Sequence, residues 1–386
     1  MNDEAVGVGM TTHSHKAGLY QETIKSYDVV TADGTLIHVT ADNEHQDLFY
    51  CLPWSHGTLG FLVALELQII PVKSHVHLTY TPFNSQKDYC SYIREVSLDP
   101  NGPDFVEATI FSEHKAVVMS GRFADVTTPQ QKAKVNPVAR WYKPWFFKHV
   151  ESFLDSGEND EFIPLRDYLL RHNRAIFWTV QDMIPFGNNP LFRLFLGWMC
   201  PPRVTFLKFS TTPKFRELTF TKQVFQDITL PMSALEKSIS LSKETFEIWP
   251  ILIYPCRVMD HKRGESGQGQ VRAPRDTDMV PGTNYGMFFD LGVYGVPEKV
   301  KQKQYYNPVE AMRTMEAFTR DVGGYSFLYA DTFMNEEEFR VMFDHTLYEK
   351  ARKKYGAEDA FPTLYEKTKP EIDVIAIGLE SCSATV

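Results

Sequence analysis

Asp47 to Leu67 reads DLFYCLPWSHGTLGFLVALEL, and the rest of the chain is organised around it. An apolar helical turn breaks at Pro53, passes through Gly57-Thr58-Leu59-Gly60 and leaves as a continuous apolar run, Phe61 to Leu67. Glycines lack a Cβ, so the backbone there can come close to a flat or phosphorylated group. A short unbroken apolar run predicts a strand buried on both faces. Helix, glycine turn and buried strand make a wall for a large cofactor, or an ordinary α/β joint. The stretch by itself leaves both readings open.

Upstream, the apolar runs Ile24–Val30 and Leu36–Val39 flank Ala32-Asp33-Gly34. Asp-Gly between alternating apolar runs predicts a β-hairpin. Asp42 to Leu52 reads as a short helix with Asp42 or Asn43 as its N-cap. Earlier still, Gly7-Val8-Gly9-Met10-Thr11-Thr12-His13-Ser14-His15 alternates glycine with small hydroxyl residues. That pattern suits close approach to a phosphate or ribityl chain, and equally a plain loop.

Downstream of Pro71 the pattern changes. Strands are expected at His75–Thr81, Phe105–Phe111, Ala116–Arg122, Ile248–Tyr254, Tyr285–Val293 and Ser326–Tyr329, with helices at Gln86–Val96, Met232–Leu241 and Val309–Val322. Two such sets predict one antiparallel sheet with helices on one face, an α+β layer. The Gly-, Arg- and Asp-rich stretch from Val258 to Asn284 reads as a mobile loop. Asn335 with Glu338 three residues on predicts a capped helix start, and Tyr355 to Tyr365 a last docking helix. Nothing after Pro370 carries a usable pattern, so 370–386 is expected to be disordered.

The middle is unusual. Arg140-Trp141-Tyr142-Lys143-Pro144-Trp145-Phe146-Phe147-Lys148-His149 mixes aromatic and basic residues, and Leu191 to Cys200 is nearly all apolar around Arg193. Such stretches fit an interfacial membrane segment, the mouth of a pocket for an apolar ligand, or, for 191–200, a core helix.

Composition narrows the classes. The 386 residues are 43% hydrophobic and 13% aromatic, enough for two or three domains with real cores. A net charge of −9 with no basic block lacks the footprint of a nucleic-acid binder. Cys51, Cys90, Cys200, Cys256 and Cys382 are scattered, which fits reduced thiols and neither a zinc site nor a disulfide framework. The acidic start Met1-Asn2-Asp3-Glu4 is unlike a signal peptide, and no stretch is long and apolar enough to span a bilayer. G-x-S-x-G, the Walker phosphate loop and H-E-x-x-H are all missing. His13, His15 and His56 are the histidines near the glycine turns, with no metal-ligand spacing around them. What remains is a cofactor-dependent enzyme or a protein that binds a large ligand.

The order Ala32-Asp33-Gly34, Asp47-Leu48-Phe49, Gly57-Thr58-Leu59-Gly60-Phe61-Leu62-Val63 resembles the PCMH-type FAD-binding domain of the vanillyl-alcohol-oxidase superfamily. Within it the chain is more similar to the delta(24)-sterol reductase (diminuto/seladin-like) family. The shared runs are Ser14-His15-Lys16-x-Gly18-Leu19, Asp47–Tyr50, Pro53-Trp54-Ser55-x-Gly57 through Val63, Tyr142–Glu151, Ile184–Pro190 and Leu328-Tyr329-Ala330-Asp331. They extend from about residue 6 to about residue 368, and YKPWFFKHVE is highly specific.

The resemblance implies a flavoprotein oxidoreductase of sterol metabolism at the cytosolic face of the endoplasmic reticulum membrane. FAD would be the cofactor and NADPH the electron source for reduction of a sterol side-chain double bond. By analogy Val6, Gly7, Val8, Gly9, Met10, Thr11, Thr12, Gly57, Thr58, Gly60 and Leu62 would line the flavin. The sequence does not name the proton donor; Tyr329, Asp331 and Glu66 qualify by residue type, and each also has a structural reading. The expected domains are 1–71 (second half of the FAD domain), 72–325 (substrate-binding cap, with a membrane- or sterol-facing insert at 140–202) and 326–386, packing back on the first. In the family, a membrane anchor and the first half of the FAD domain precede the matched region, so one wall of the cofactor site is expected here. Without an anchor the chain would be cytoplasmic or peripheral, touching membrane through 140–149 and 191–200. A flavin-free sterol- or membrane-binding regulatory role is the alternative.

Overall fold

The computed structural model describes residues 5–199 and 221–383. Three strands, β1 (Ile24–Val30), β2 (Leu36–Thr40) and β3 (Phe61–Leu67), form a small antiparallel sheet in the order β2-β1-β3. The hairpin forms at Ala32-Asp33-Gly34. Asp33 Oδ1 accepts bonds from Thr31 Oγ1 (2.7 Å) and Thr35 N (3.0 Å), and Gly34 takes φ +84°. The helix after β2 starts later than expected, at Gln46, with His45 as N-cap. Asn43 is responsible: its Oδ1 accepts from His45 N (2.9 Å) and its Nδ2 donates to His38 O (2.8 Å), locking a turn in front of the helix.

β3 is an edge strand, contrary to the expectation of burial on both faces. Phe61 is 67% exposed and Val63 60%. With β1 as its only neighbour among the described residues, β3 keeps just one face on the core, through Leu62, Leu65 and Leu67.

Eight strands make the large sheet: β4 (His75–Phe83), β5 (Phe105–Ile110), β6 (Ala116–Ala124), β7 (Asn159–Pro164), β8 (Val224–Pro231), β9 (Ile251–Met259), β10 (Tyr285–Gly295) and β11 (Tyr325–Ser326). Their order is β11-β8-β10-β9-β5-β6-β4-β7, and every neighbouring pair is antiparallel. The two sets of strands meet where β5 pairs β9, Ala108 opposite Ile253. Strands β7 and β8 have no counterpart among the sequence expectations, and the strand expected at Ser326–Tyr329 is reduced to Tyr325–Ser326.

Because side chains alternate across a strand, the sheet has two different faces. One carries Ile110, Val118, Ile228, Ile253, Phe289 and Leu291 against the helices Gln86–Leu98, Leu235–Thr245 and Pro308–Val322. The last of these is fixed at both ends: Asn307 Oδ1 accepts from Val309 N and Glu310 N (3.1 Å each), and Gly323 closes it at φ +78°. The second face is shared. Its β5–β6–β4 half packs on Phe146, Val150 and Phe153 of the aromatic insert, and Leu252 and Tyr254 of β9 pack on Trp145, Phe147 and Trp178. Cys256, Val258 and Phe288 instead join the core under the small sheet, with Tyr27, Leu48 and Trp54.

The C-terminal stretch shares that core through Phe327, Phe339, Phe343, Tyr348 and Leu364. Asn335 and Glu338 form the reciprocal capping box. The stretch expected to lack structure contains a helix, Val374–Ser383, which lies along Pro308–Val322 and buries Val374 and Cys382. The loop expected to be mobile is tethered: Arg263 pairs with Asp47 (2.6 Å), and Arg272 Nη1 donates to the carbonyl of Met342 (2.8 Å). Cys51, Cys90, Cys256 and Cys382 are free and buried, and Cys200 lies outside the described residues.

The insert is half inward and half outward. Arg174 donates to the carbonyls of Arg140 (2.7 Å), Trp141 (3.0 Å) and Lys143 (2.6 Å), which holds that stretch in place. Trp145, Phe146 and Phe147 are buried, so only the start of 140–149 faces outward. The helix Pro190–Leu196 buries none of its residues; Leu191, Phe195 and Trp198 are each about two-thirds exposed. It is therefore not a core helix.

Candidate functional site

Backbone hydrogen bonds bring the two expected glycine segments together. Trp54 N donates to Gly7 O (3.0 Å) and His56 N to Val6 O (2.8 Å). The turn between them carries positive φ at Trp54 (+64°), His56 (+49°) and Gly57 (+77°). Non-glycine residues rarely adopt that conformation, and local strain of this kind gathers at functional sites. Ser55 Oγ on Leu52 O and Thr58 Oγ1 on Ser55 O, both 2.7 Å, hold the turn in shape.

A groove of about 520 Å³ opens beside it, lined by Val6, Gly7, Gly57, Gly60 and Leu62 on one side and by Leu328 to Asp331 on the other. A Cβ built on Gly57 would meet nothing within 4 Å, so the turn leaves open space where a side chain would otherwise stand. These residues fit one flank of a large cofactor: a glycine-lined backbone with room against it, and polar and charged side chains such as Lys367 and Lys369 around the same groove.

The other expected flavin residues lie elsewhere. Thr58 is buried, and its Oγ1 is 2.6 Å from Tyr348 Oη. Val8 is in the core below, and Gly9 O accepts from Tyr20 N (2.8 Å). Met10 touches both the core under the small sheet and the one under the insert, and Thr11 is exposed. Thr12 reaches the large sheet: its carbonyl accepts from Val106 N (2.9 Å) and its hydroxyl lies 3.1 Å from Tyr168 Oη. Residues 6–12 thus run from the groove to the sheet.

Of the candidate proton donors, Tyr329 and Asp331 line the groove, while Glu66 is exposed on β3. His56 also lines the groove. His13 and His15 bond instead to the carbonyls of Asp104 (2.6 Å) and Pro103 (2.9 Å). Burial holds the His15 imidazole down at about 4, so it is neutral at pH 7. Both histidines brace a loop.

The buried carboxyls of the sheet were missed by sequence reasoning. Glu107, Asp227 and Asp290 sit within the otherwise largely apolar strands FVEATI, VFQDITLP and YGMFFDLGVYG, and each is at most 4% exposed. A lone acid inside an apolar strand was the available signal, since such groups are almost never buried without a partner. Glu107 has two: Arg171 Nη2 at 2.5 Å and His172 Nε2 at 2.8 Å. Burial alone would raise its carboxyl, but Arg171 and then His172 outweigh burial and hold it at about 2. Asp227 accepts bonds from Tyr294 and Tyr329 instead, and burial pushes it up to about 7. Among the described residues no group of His, Cys, Asp and Glu could hold a metal ion, and no helix is long and apolar enough to cross a membrane.

Comparison with known proteins places this geometry in a lineage. No family model matches the chain. It is 41% identical over 364 residues to a delta(24)-sterol reductase of Homo sapiens, covering 94% of this chain and 66% of that protein. To a delta(24)-sterol reductase homolog of Caenorhabditis elegans it is 38% identical over 372 residues, covering 94% of this chain and 67% of the relative. The chain thus spans about two thirds of the length of the curated relatives it matches. Among solved structures, a VAO-type flavoprotein from Myceliophthora thermophila superposes with a TM-score of 0.52 at 14% identity, covering 97% of this chain and 62% of that one. That likeness establishes the fold, and the sequence relatives establish the lineage: the chain belongs to the delta(24)-sterol reductase family.

Proposed function

We propose that this chain carries the substrate-binding cap and one flavin wall of an FAD-dependent reductase acting on the side-chain double bond of a sterol, with NADPH as electron source. The observation that carries the reading is the pairing of residues 6–7 with 54–56, which makes one glycine-lined flank facing Leu328–Asp331. Support also comes from the relatives, which are named as delta(24)-sterol reductases. A bound flavin would supply hydride chemistry. The chain's own part is to hold its Val6–Gly7 and Gly57–Leu62 side, to exclude water with the C-terminal segment, and to present polar groups to the alkene.

Titration of the purified chain with FAD, followed by flavin absorbance and fluorescence, tests this. Saturable binding is expected. Gly57→Val should abolish it while circular dichroism of the large sheet is unchanged, since valine fills the open space and is strained at φ +77°. A chain that takes up no flavin yet retains sterol would favour the flavin-free binding role.

The outward side of the insert supports membrane contact as a second part of the reading. Phe186, Leu191, Leu194, Phe195 and Trp198 are each more than half exposed, a combination suited to the headgroup boundary. Peripheral contact with the endoplasmic reticulum membrane would let a sterol enter without crossing water. Flotation with neutral liposomes is expected to carry the chain, and Phe195→Ser with Trp198→Ser to release it. Equal flotation of both proteins would remove the insert from membrane contact.

A further inference from the structure

Asp227 and Asp290 project from β8 and β10 on the sheet face turned away from the long helices. Register sets Asp227 opposite Gly292 and Asp290 opposite Thr229, so the two carboxyls are diagonal neighbours. They are 4% and 3% exposed, and they share a hydrogen bond. Among the described residues no Lys, Arg or His forms an ion pair with either, and Asp290 Oδ1 has no hydrogen-bond partner. Two buried acids without a cation cannot both ionise, so the pair retains a proton. Burial raises both carboxyls, and for Asp290 the charge of Asp227 adds to it.

Two phenols reach this pair from opposite sides. Tyr294 donates to Asp227 Oδ1 and Tyr329 to Oδ2. Tyr329 is 63% exposed and lines the groove shared with Gly7 and Gly57. Tyr294 borders a separate cleft of about 140 Å³ with Trp178, Asp182 and Lys301. The sheet makes room for this line of contacts at Gly292. A Cβ there would fall 2.8 Å from Tyr294 Oη and 3.0 Å from Asp227 Oδ1. A hydrogen-bonded chain, Tyr329–Asp227–Tyr294, thus connects the groove to a second cleft along one face of the sheet.

We propose that Tyr329 is the proton donor of the reduction and that Asp227, shared with Asp290 and reached by Tyr294, returns a proton to it. This rests on the groove being the flavin- and sterol-facing side. A reduced flavin, when bound, would supply the hydride, two electrons and a hydrogen, to one alkene carbon. The Tyr329 O–H bond breaks as a C–H bond forms at the other carbon. The phenolate takes the proton of the Asp227 carboxyl, which is refilled from the cleft through Tyr294. Tyr329 is the donor; Asp227, Asp290 and Tyr294 are positioning and relay residues. The groups facing the pair are Tyr294 of β10, Tyr254 and Cys256 of β9, and Tyr329, none of them a cation.

The test has two arms on the full chain. In the flavin-free protein, carboxyl-carbon NMR of Asp227 should show titration near neutral pH, and Tyr329→Phe or Tyr294→Phe should each move it upward, because each phenol stabilises the ionised form. Titration in the ordinary carboxylate range, unmoved by either variant, overturns the relay. In the flavin-loaded protein, the flavin is first fully reduced, so that the sterol step of Tyr329→Phe is read by itself. Single-turnover reduction of the sterol should slow by about 100-fold or more, the span of a lost general acid. Unchanged sterol reduction overturns the donor assignment. Absence of flavin binding in the unsubstituted chain refutes the proposed function instead, while the NMR arm still decides the relay.

Discussion

Glu107 and Asp227 are buried acids on one face of one sheet, and their surroundings drive them in opposite directions. Glu107 meets a guanidinium and an imidazole, and its carboxyl is held at about 2. Asp227 meets two phenols and another carboxyl, and burial lifts it to about 7. A charge compensated so fully is fixed in one state, which suits architecture. An acid poised near neutrality can change state at physiological pH, which suits chemistry. The largest expected effect tests the first half of that contrast. Arg171→Leu leaves Glu107 buried against His172 alone and should cost about 3–5 kcal/mol in urea unfolding at pH 7. Asp227→Asn should cost less than about 1.5 kcal/mol, because asparagine can retain an acceptor and a donor in a site that already favours the neutral form. Equal losses for the two would erase the distinction.

Stability against pH sharpens the comparison, since the two acids give slopes of opposite sign. Glu107 is depressed on folding, so the unfolded chain binds more protons as pH falls from its ordinary value toward about 2; stability drops across that window. Asp227 is raised, so the folded chain binds more protons between the ordinary carboxylate range and about 7; stability declines as pH rises through that window. Each limb is expected to amount to a few kcal/mol. Asp290→Asn should flatten the upper limb, by removing the second carboxyl that resists ionisation, and leave the acid limb alone. An upper limb unchanged in this variant would mean that the pair does not share its proton.

Much of this architecture is legible in the chain itself. Ala32-Asp33-Gly34 dictates its hairpin through local hydrogen bonds, and the Asn335 cap is written three residues ahead in Glu338. That the two glycine segments belong to one site came from the family resemblance alone, since each by itself reads equally as a loop or an ordinary joint. Long-range effects were not readable. The exposure of Phe61 and Val63 depends on which strands flank β3, and an apolar run does not name its neighbours. β8 was invisible as a strand, so Asp227 could not be placed opposite Gly292, and the join of β5 to β9 is a pairing over more than a hundred residues. Nor does any local rule tell Glu107 from Asp227. Each is a single acid in an apolar strand; Arg171 and Tyr329, which decide their states, arrive from distant segments.

A smaller effect probes the space that the Asp227 arrangement requires. Gly292→Ala would put a methyl group 2.8 Å from Tyr294 Oη, against backbone that is paired on both sides in β10. The phenol must move, at a cost of about 1–3 kcal/mol for overpacking. Tyr294→Phe combined with Gly292→Ala should recover part of that loss, because the clashing oxygen is gone. Strictly additive losses in the double variant would show that Gly292 serves the strand and not the bond to Asp227.

The smallest effect asks whether the Glu107 side also helps to place the cofactor segment. Tyr168 stacks under the Arg171 guanidinium, 4.1 Å from ring centre to carbon, and its hydroxyl lies 3.1 Å from Thr12 Oγ1. Burial pushes the phenol up to about 12, so it stays neutral at any working pH. Tyr168→Phe keeps the ring under Arg171 and removes only the contact to Thr12. The expected loss is about 0.5–1.5 kcal/mol, one ordinary hydrogen bond. Thr12 ends the run whose other end, Val6–Gly7, lines the groove, so a rigid connection would make FAD binding several-fold weaker in this variant as well. Unchanged flavin affinity with the same small loss of stability would confine the Glu107 cluster to architecture and leave the groove positioned by the 54–57 turn alone.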